Sequence, residues 1–519
     1  MVGMTDLQTR KPRGGLLSAP PAWVVLAAVC AGQFLVVLDV SVVNVALPSV
    51  RTALDLGETG QQWVVNAYAI TFAGFLLLGG RVADLFGRKR TFMVGLALFT
   101  AASLAGGLAQ DGWMLITARA VQGLGSAVLA PTTLSILTTS FPEGHERTRA
   151  ISTWTAVGAG GGAAGGLVGG LLTDYLSWRW VLLVNVPIGA LVLVASALFL
   201  SESRADHARR LDIAGAVLVT SGVAALSYGI AQSETHGWSS ADTALPLAGG
   251  VLLLALFTLV ESRIAEPLIS LRLFRIRSVS AANTVLLACG AATFSAWYFL
   301  SLYMQGVLGY SPVRAGVSFL PHTVMIVIGS KLAPRLMARY DPRLVSAAGG
   351  LLTTAGMAWQ STLSAGGSFA GNILGPGMVM MFGAGLLMTP IAAAATSGVP
   401  MGQQGVVSGL LNTSRQLGGA LGLTILATAA ADRISSRAAA GADQAHALTS
   451  GYGLAFLIGA AFIGVGTCLI SLLPKPVAPA GPPVRDAAPA DKAAKAGTTG
   501  TAGNADSAAA PQATDARTR

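Results

Sequence analysis

The chain has 519 residues, of which 53% are hydrophobic and 11% charged, and its mean hydropathy is +0.64. A soluble protein of this length needs far more charge, so the composition points to a polytopic membrane protein. The net charge of +10 does not indicate nucleic acid, because Lys and Arg lie between apolar runs and not among aromatic residues.

Residues 1–20 form a polar lead with Arg10, Lys11 and Arg13. The first apolar run is long enough to span, so it is expected to stay in the chain as a start-transfer helix. Six spans are predicted at 23–45, 63–78, 92–109, 113–137, 151–172 and 181–200, each near the ~20 residues that cross hydrocarbon. A charged hinge with Arg204, Arg209 and Arg210 follows. Two more spans, 213–231 and 245–260, precede a second group of six at 279–304, 315–336, 344–363, 373–395, 406–430 and 452–473. From Lys475 onward large apolar residues are too sparse for a core, and a disordered tail is expected.

The expected units are therefore a lead (1–20), a six-helix half (21–200), a hinge with two inserted helices (201–278), a second six-helix half (279–474) and a tail (475–519). Alternate loops divide the basic residues unequally, 20 Lys and Arg in one set against 5 in the other. That bias places the richer set and both termini in the cytoplasm. The loops GGRVADLFGRKR (79–90) and GSKLAPRLMARYDPR (329–343) occupy matching positions in the two groups of six. This repeat is the form in which transporters build a midplane site. Cys30, Cys289 and Cys468 lie within apolar runs without a CxxC, and read as small apolar filler.

One carboxylate interrupts the first span, Asp39 in LDVSVVNVALP. A charge at that depth costs roughly 2.5 to 3.5 kcal/mol on insertion scales and persists where it faces a partner or a cavity. With a rise of ~1.5 Å per residue, Asp39 lies roughly 10 Å below the outer end of its helix. Arg119, six residues into the oppositely directed fourth span, falls at a similar depth, so the two can pair. The pair either carries a proton or pins the first and fourth spans together. Asn44, five residues on, either lines the same cavity or bonds a neighbouring helix.

Gly80, Asp84, Gly87, Arg88 and Lys89 form a short turn whose glycines permit close approach and whose charges can lock and break. Gly161, Gly165, Gly166, Gly169 and Gly170 give small faces against which another helix can settle. His322 in the tenth span is a hydrogen-bonded contact or a second titrating group. Asn412 and Arg415 lie in the thirteenth span. Trp154, Trp297, Tyr298, Tyr303, Trp359 and Met378 to Met381 supply aromatic and soft apolar surface suited to bulky planar compounds. A membrane enzyme would need a His, Asp, Glu or Cys cluster, and the five histidines are scattered.

LDVSVVNVALP, GGRVADLFGRKR, RAVQGLGSA (119–127) and GGGAAGGLVGGLLTDYLSWRWVLLVNVPIG (160–189) resemble four successive signatures of the major facilitator superfamily. With YMQGVLGYSPVRAGVSFLP (303–321) and SGLLNTSRQLGGALG (408–422), the set is similar to the fourteen-helix drug:proton antiporter branch, the EmrB/QacA type. Two departures are visible: Leu85 stands where that family usually has a basic residue, and Gly165-Gly166 where it has Gly-Pro. The resemblance implies an all-α membrane protein of two six-helix halves plus two inserted helices, in the cell membrane. It implies proton-driven efflux of bulky hydrophobic drugs or antibiotics by alternating access, with Asp39 and Arg119 in proton coupling. The proton gradient then takes the place of a cofactor, and neither an enzyme activity nor a nucleic-acid partner is expected. The alternative is a proton-linked carrier of one specific metabolite.

Overall fold

Backbone N–H and C=O groups in hydrocarbon have no water to bond, so each apolar run closes its hydrogen bonds within itself as a helix. The computed structural model describes residues 22–142, 145–203, 212–264, 267–396, 399 and 404–472, and the secondary structure of these residues is helical throughout. The lead, the tail and the hinge residues Arg204, Arg209 and Arg210 lie outside them. The first six spans are α1 (Ala22–Ala53), α2 (Glu58–Phe86), α3 (Arg88–Gly107), α4 (Gly112–Ser140), α5 (His145–Tyr175), and α6 (Trp180–Leu183) joined to α7 (Asn185–Phe199). The inserted pair is α8 (Ile213–His236) and α9 (Ala241–Arg263). The last six are α10 (Arg277–Leu302), α11 (Pro312–Ser318) with α12 (Leu320–Met337), α13 (Pro342–Gln360), α14 (Gly375–Thr396), α15 (Gln404–Ala439) and α16 (Gln444–Leu469).

Thirteen spans among the described residues are long and apolar enough to cross a membrane, and α13 makes the fourteenth position. Several helices outrun the predicted apolar runs, because a helix ends at its caps and not where hydrophobicity fades. The α2 helix continues through Arg81 and Asp84 until Gly87, whose φ of +100° stops it. The predicted sixth span is divided at Val184, and the tenth at Phe319, just before Pro321 in the first turn of α12.

The two groups of six pack alike. In the first, α2 pairs with α4, α1 with α5, and α3 with α4 and α7; in the second, α12 pairs with α14, α10 with α15, and α13 with α14 and α16. The halves meet along α1–α10, α2–α15 and α5–α11, and α8 lies against both α2 and α15. Asn66 Nδ2 in α2 donates to Thr424 Oγ1 in α15 at 2.8 Å, and Thr428 Oγ1 in α15 to the α8 carbonyl of Ile230 at 3.4 Å. The inserted pair thus covers one seam between the halves.

Candidate functional site: a buried carboxylate cluster between the halves

Asp39 is fully buried in α1 (0% exposed) and Arg119 in α4 is 2% exposed. Arg119 Nη1 donates to Asp39 Oδ2 at 2.6 Å. The other carboxylate oxygen accepts from Gln122 Nε2 at 2.7 Å and from Asn185 Nδ2 at 3.0 Å. Both amides also reach Ser103 Oγ in α3, at 2.9 and 3.0 Å. Arg119 is fixed further by Val64 O at 3.1 Å, by Gln122 Oε1 at 2.7 Å, and by the Tyr68 ring 4.4 Å from its Cζ.

The local sequence accounts for this convergence. Gln122 follows Arg119 by three residues and shares its face of α4. Asn185 opens α7 just after the chain's break, so its amide points inward at the head of a new helix. Two helices, α4 and α7, thereby present three donors to one carboxylate of α1, the arrangement a buried charge requires. The two charges cancel, and the geometry suits a carboxylate acting only as acceptor. Arg119 also borders two small cavities. One lies between the halves, lined by Tyr68, Phe294 and Gln416; the other is apolar and runs toward Val50 and Trp178.

The structure brings together Asp39 and Arg119, and leaves the other predicted residues elsewhere. Asn44 donates from its side chain to Val40 O of its own helix at 3.1 Å and lines neither cavity, and its bond to a neighbouring helix is made through its backbone. Its carbonyl accepts from Ser301 Oγ of α10 at 2.9 Å. Trp154 Nε1 donates to Thr133 Oγ1 at 3.2 Å inside the first half. His322 is wholly buried, its Nε2 3.1 Å from Ile373 O, with the Trp297 and Phe319 rings edge-on around it. Tyr298 packs edge-on against Phe299, and Tyr303 donates to Ser364 O at 2.8 Å beyond α10. Arg415 Nη2 donates to Asn412 Oδ1 at 3.1 Å and its guanidinium lies 5.9 Å from the Phe294 ring. Asn44 and Trp154 thus stay in the first half, the others are spread over the second, and none of them joins the carboxylate cluster.

At the α2–α3 turn, Arg88 pairs with Asp84 at 3.4 Å and donates from Nε to Ser135 Oγ at 2.7 Å. The turn is held more firmly by Glu202, which accepts from the backbone N–H of Lys89 and Arg90 at 3.1 and 3.2 Å, capping α3. A side chain on Gly87 would run into that carboxylate. Lys89 Nζ donates to Ala197 O at 2.8 Å, and Gly80 sits loosely beside Pro131. Arg81 donates to Pro267 O, tying the turn to the segment after α9.

The α5 glycines divide between two neighbours. Gly161, Gly165 and Gly169 lie on α1 at Phe34, Ser41 and Val42, whereas Gly166 and Gly170 lie on α11 at Gly316 and Pro312. The α11 end is further joined by Asp174 Oδ2, which accepts from Val313 N at 3.1 Å.

Sequence reading missed Gln122, Asn185, Ser103, Tyr68, Glu202 and Gln416. Gln122 was visible as Arg119's i+3 neighbour and Asn185 as a polar residue inside VLLVNVPIG. Ser103 and Glu202 carried no local signal, since only the fold brings them near.

Comparison with known proteins adds findings of three kinds. The profile of the Major Facilitator Superfamily matches residues 29–423. The chain is 45% identical over 484 residues to the cephamycin export protein CmcT of Amycolatopsis lactamdurans, covering 92% of this chain and 98% of that one. It is 40% identical over 451 residues to the puromycin resistance protein pur8 of Streptomyces alboniger, covering 85% and 89%. Among solved structures, a bacterial homolog of the human lysosomal transporter Spinster in an inward-facing, unoccupied conformation aligns at a TM-score of 0.62 with 17% identity, over 88% of this chain and 97% of that one. The peptide transporter PepTSo aligns at 0.64 with 14% identity, over 87% and 99%. At those identities the structural likeness speaks for the fold alone.

Proposed function

The chain belongs to the Major Facilitator Superfamily, and we propose that it exports bulky hydrophobic or aromatic compounds, antibiotics among them, in exchange for protons. The observation that carries the reading is the buried Asp39–Arg119 pair with its Gln122 and Asn185 donors. Protonation of Asp39 removes a charge and turns an acceptor oxygen into a donor, so Arg119 loses its counter-ion. Arg119 then keeps Val64 O, Gln122 Oε1 and the Tyr68 ring, none of them charged. On the same helix, one and a half turns away, the carbonyls of Asn44 and Val45 accept from Ser301 of α10 and from Gln305 just after it, across the halves. A change of state at Asp39 therefore acts on a helix that belongs to the seam, and alternating access follows as rocking of one half against the other.

The names of the relatives, a cephamycin exporter and a puromycin resistance protein, favour antibiotics as substrates. The basic-residue bias favours a cell-membrane protein with the α2–α3 turn and both termini in the cytoplasm. His322 serves as a second proton site in this scheme, its Nδ1 being buried without a partner among the described residues. The Asp84–Arg88 turn and the α5 glycines serve as gates.

The test is dye efflux from energised cells with and without a proton uncoupler, comparing the natural chain with Asp39→Asn. Uphill efflux is expected to collapse with the uncoupler and to vanish in Asp39→Asn at equal membrane abundance. Full efflux by Asp39→Asn refutes the proton-carrier role.

A further inference from the structure

We propose that Arg415 recognises an anionic group on the exported compound, so that the substrates are apolar bodies bearing a carboxylate. Arg415 lies eleven residues past Gln404, the first residue of α15, which is about 16 Å into a hydrocarbon layer ~30 Å thick. A charge at that depth persists where it faces a partner or a cavity. The second half has no anion to offer it. From Arg277 to Leu472 the chain carries three carboxylates: Asp341 and Asp443 stand at the N-caps of α13 and α16, and Asp432 is exposed near the far end of α15. Asp39 of the first half is already held by Arg119, Gln122 and Asn185. Among the described residues the Arg415 side chain makes no ion pair and one hydrogen bond, from Nη2 to Asn412 Oδ1 at 3.1 Å. Its titratable neighbour is the Cys289 thiol of α10, 3.7 Å from Thr293 Oγ1, and a thiol of ordinary pKa is neutral.

The side chain is within reach of a guest. Ser408, Asn412 and Arg415 recur at i, i+4 and i+7 and share one face of α15. Ser408 is exposed and the other two are half-buried, whereas Val407, Leu410, Leu411 and Thr413 beside them are buried. The Arg415 backbone is packed against Gly290 of α10, so the open part of the residue is its side chain. At one end this strip meets Phe294 and Gln416, which line the cavity between the halves, and the guanidinium lies 5.9 Å from the Phe294 ring. At the other end it runs toward the part of α2 where Leu77 approaches Gly409. A guanidinium carries five N–H groups in a planar fork; Asn412 takes one, and the rest suit both oxygens of a carboxylate. The Phe294 ring offers an aromatic body a surface beside that charge. Ser408 and Asn412 are polar but uncharged, so Arg415 alone sets the sign of charge that the strip accepts.

The inference rests on the export reading above, and the experiment separates the two. Tetramethylrhodamine has a free carboxylate, and its methyl ester keeps the ring system and loses that charge. Binding of both dyes to the purified full chain is measured by fluorescence anisotropy for the natural chain, Arg415→Gln and Arg415→Lys. Uncoupler-sensitive transport of the same dyes into inverted vesicles is measured alongside. The natural chain is expected to bind the acid about tenfold more tightly than the ester, the difference a charged hydrogen-bonded pair makes. Arg415→Gln is expected to erase that preference, chiefly by weakening the acid, and Arg415→Lys, which keeps the charge, to retain part of it. Equal binding of acid and ester by the natural chain, or no binding of the acid, overturns the site without recourse to a variant. A preference that survives in Arg415→Gln, or is lost equally in both variants, overturns it too. Absence of uncoupler-sensitive transport, with the binding preference intact, defeats the export reading and leaves the anion site standing.

Discussion

At the scale of single residues, the decisive question is whether the Asp39–Arg119 pair holds the helices together or also moves a proton. Stability and transport answer differently. Asp39→Ala leaves the Arg119 charge buried and unpaired, which typically costs 3–5 kcal/mol, about the size of a protein's whole margin. Removing both charges, as Asp39→Ala with Arg119→Leu, deletes the pair and the desolvation penalty together. We expect the single change to lower the unfolding midpoint of the purified protein sharply and the double change to recover most of it. Uphill efflux is expected to remain absent in both. If the double variant pumps uphill at the natural rate, the pair is only a pin between α1 and α4.

Helices carry the next layer, and α5 shows why the sequence disclosed so much of the fold and less of the site. Its glycine spacing announced close packing, and the single charges inside LDVSVVNVALP and RAVQGLGSA, at matching depth, marked the helices that bring Asp39 and Arg119 together. Periodicity does not say which neighbour a glycine faces, because that depends on contacts across more than a hundred residues. Hence Gly165 turned out to serve α1 and Gly166, one residue on, to serve α11. Ser103 and Glu202 stayed hidden for the same reason. The two faces of α5 predict different phenotypes. Gly165→Val pushes α1 away inside one half, so it is expected to lower thermal stability by about 1–3 kcal/mol, the range of overpacking. Gly166→Val spreads the seam to α11 and is expected to spare stability while raising labelling of a cysteine at Asp174 by a membrane-impermeant maleimide. Equal effects of the two changes contradict the division of faces.

For the whole molecule, the contacts between halves are unevenly distributed along the bundle. At the α1–α2 end the halves are joined by Ser301 to Asn44, Gln305 to Val45, Asp174 to Val313 N, and Gly166 against Gly316. At the α2–α3 end the bonds that hold the turn come from Ser135 of the first half, from Glu202 and Ser203 just after it and from Pro267 after α9, and none of them reaches α10 to α16. This pattern describes a bundle shut at the α1–α2 end, and a carrier that alternates has to part those contacts once per cycle. Holding them shut therefore stops turnover without touching the carboxylate cluster. With Cys30, Cys289 and Cys468 replaced by Ala, cysteines at Asp174 and Val313 can be joined by a short thiol cross-linker across the seam. Cross-linking is expected to abolish dye efflux and to leave binding from the α2–α3 side intact, and a reducible linker is expected to restore efflux on cleavage. The same linker applied to cysteines at Gly161 and Phe34, both within the first half, is expected to leave transport running. Undiminished efflux with the Asp174–Val313 link in place means that this end need not open, and the rocking scheme then fails.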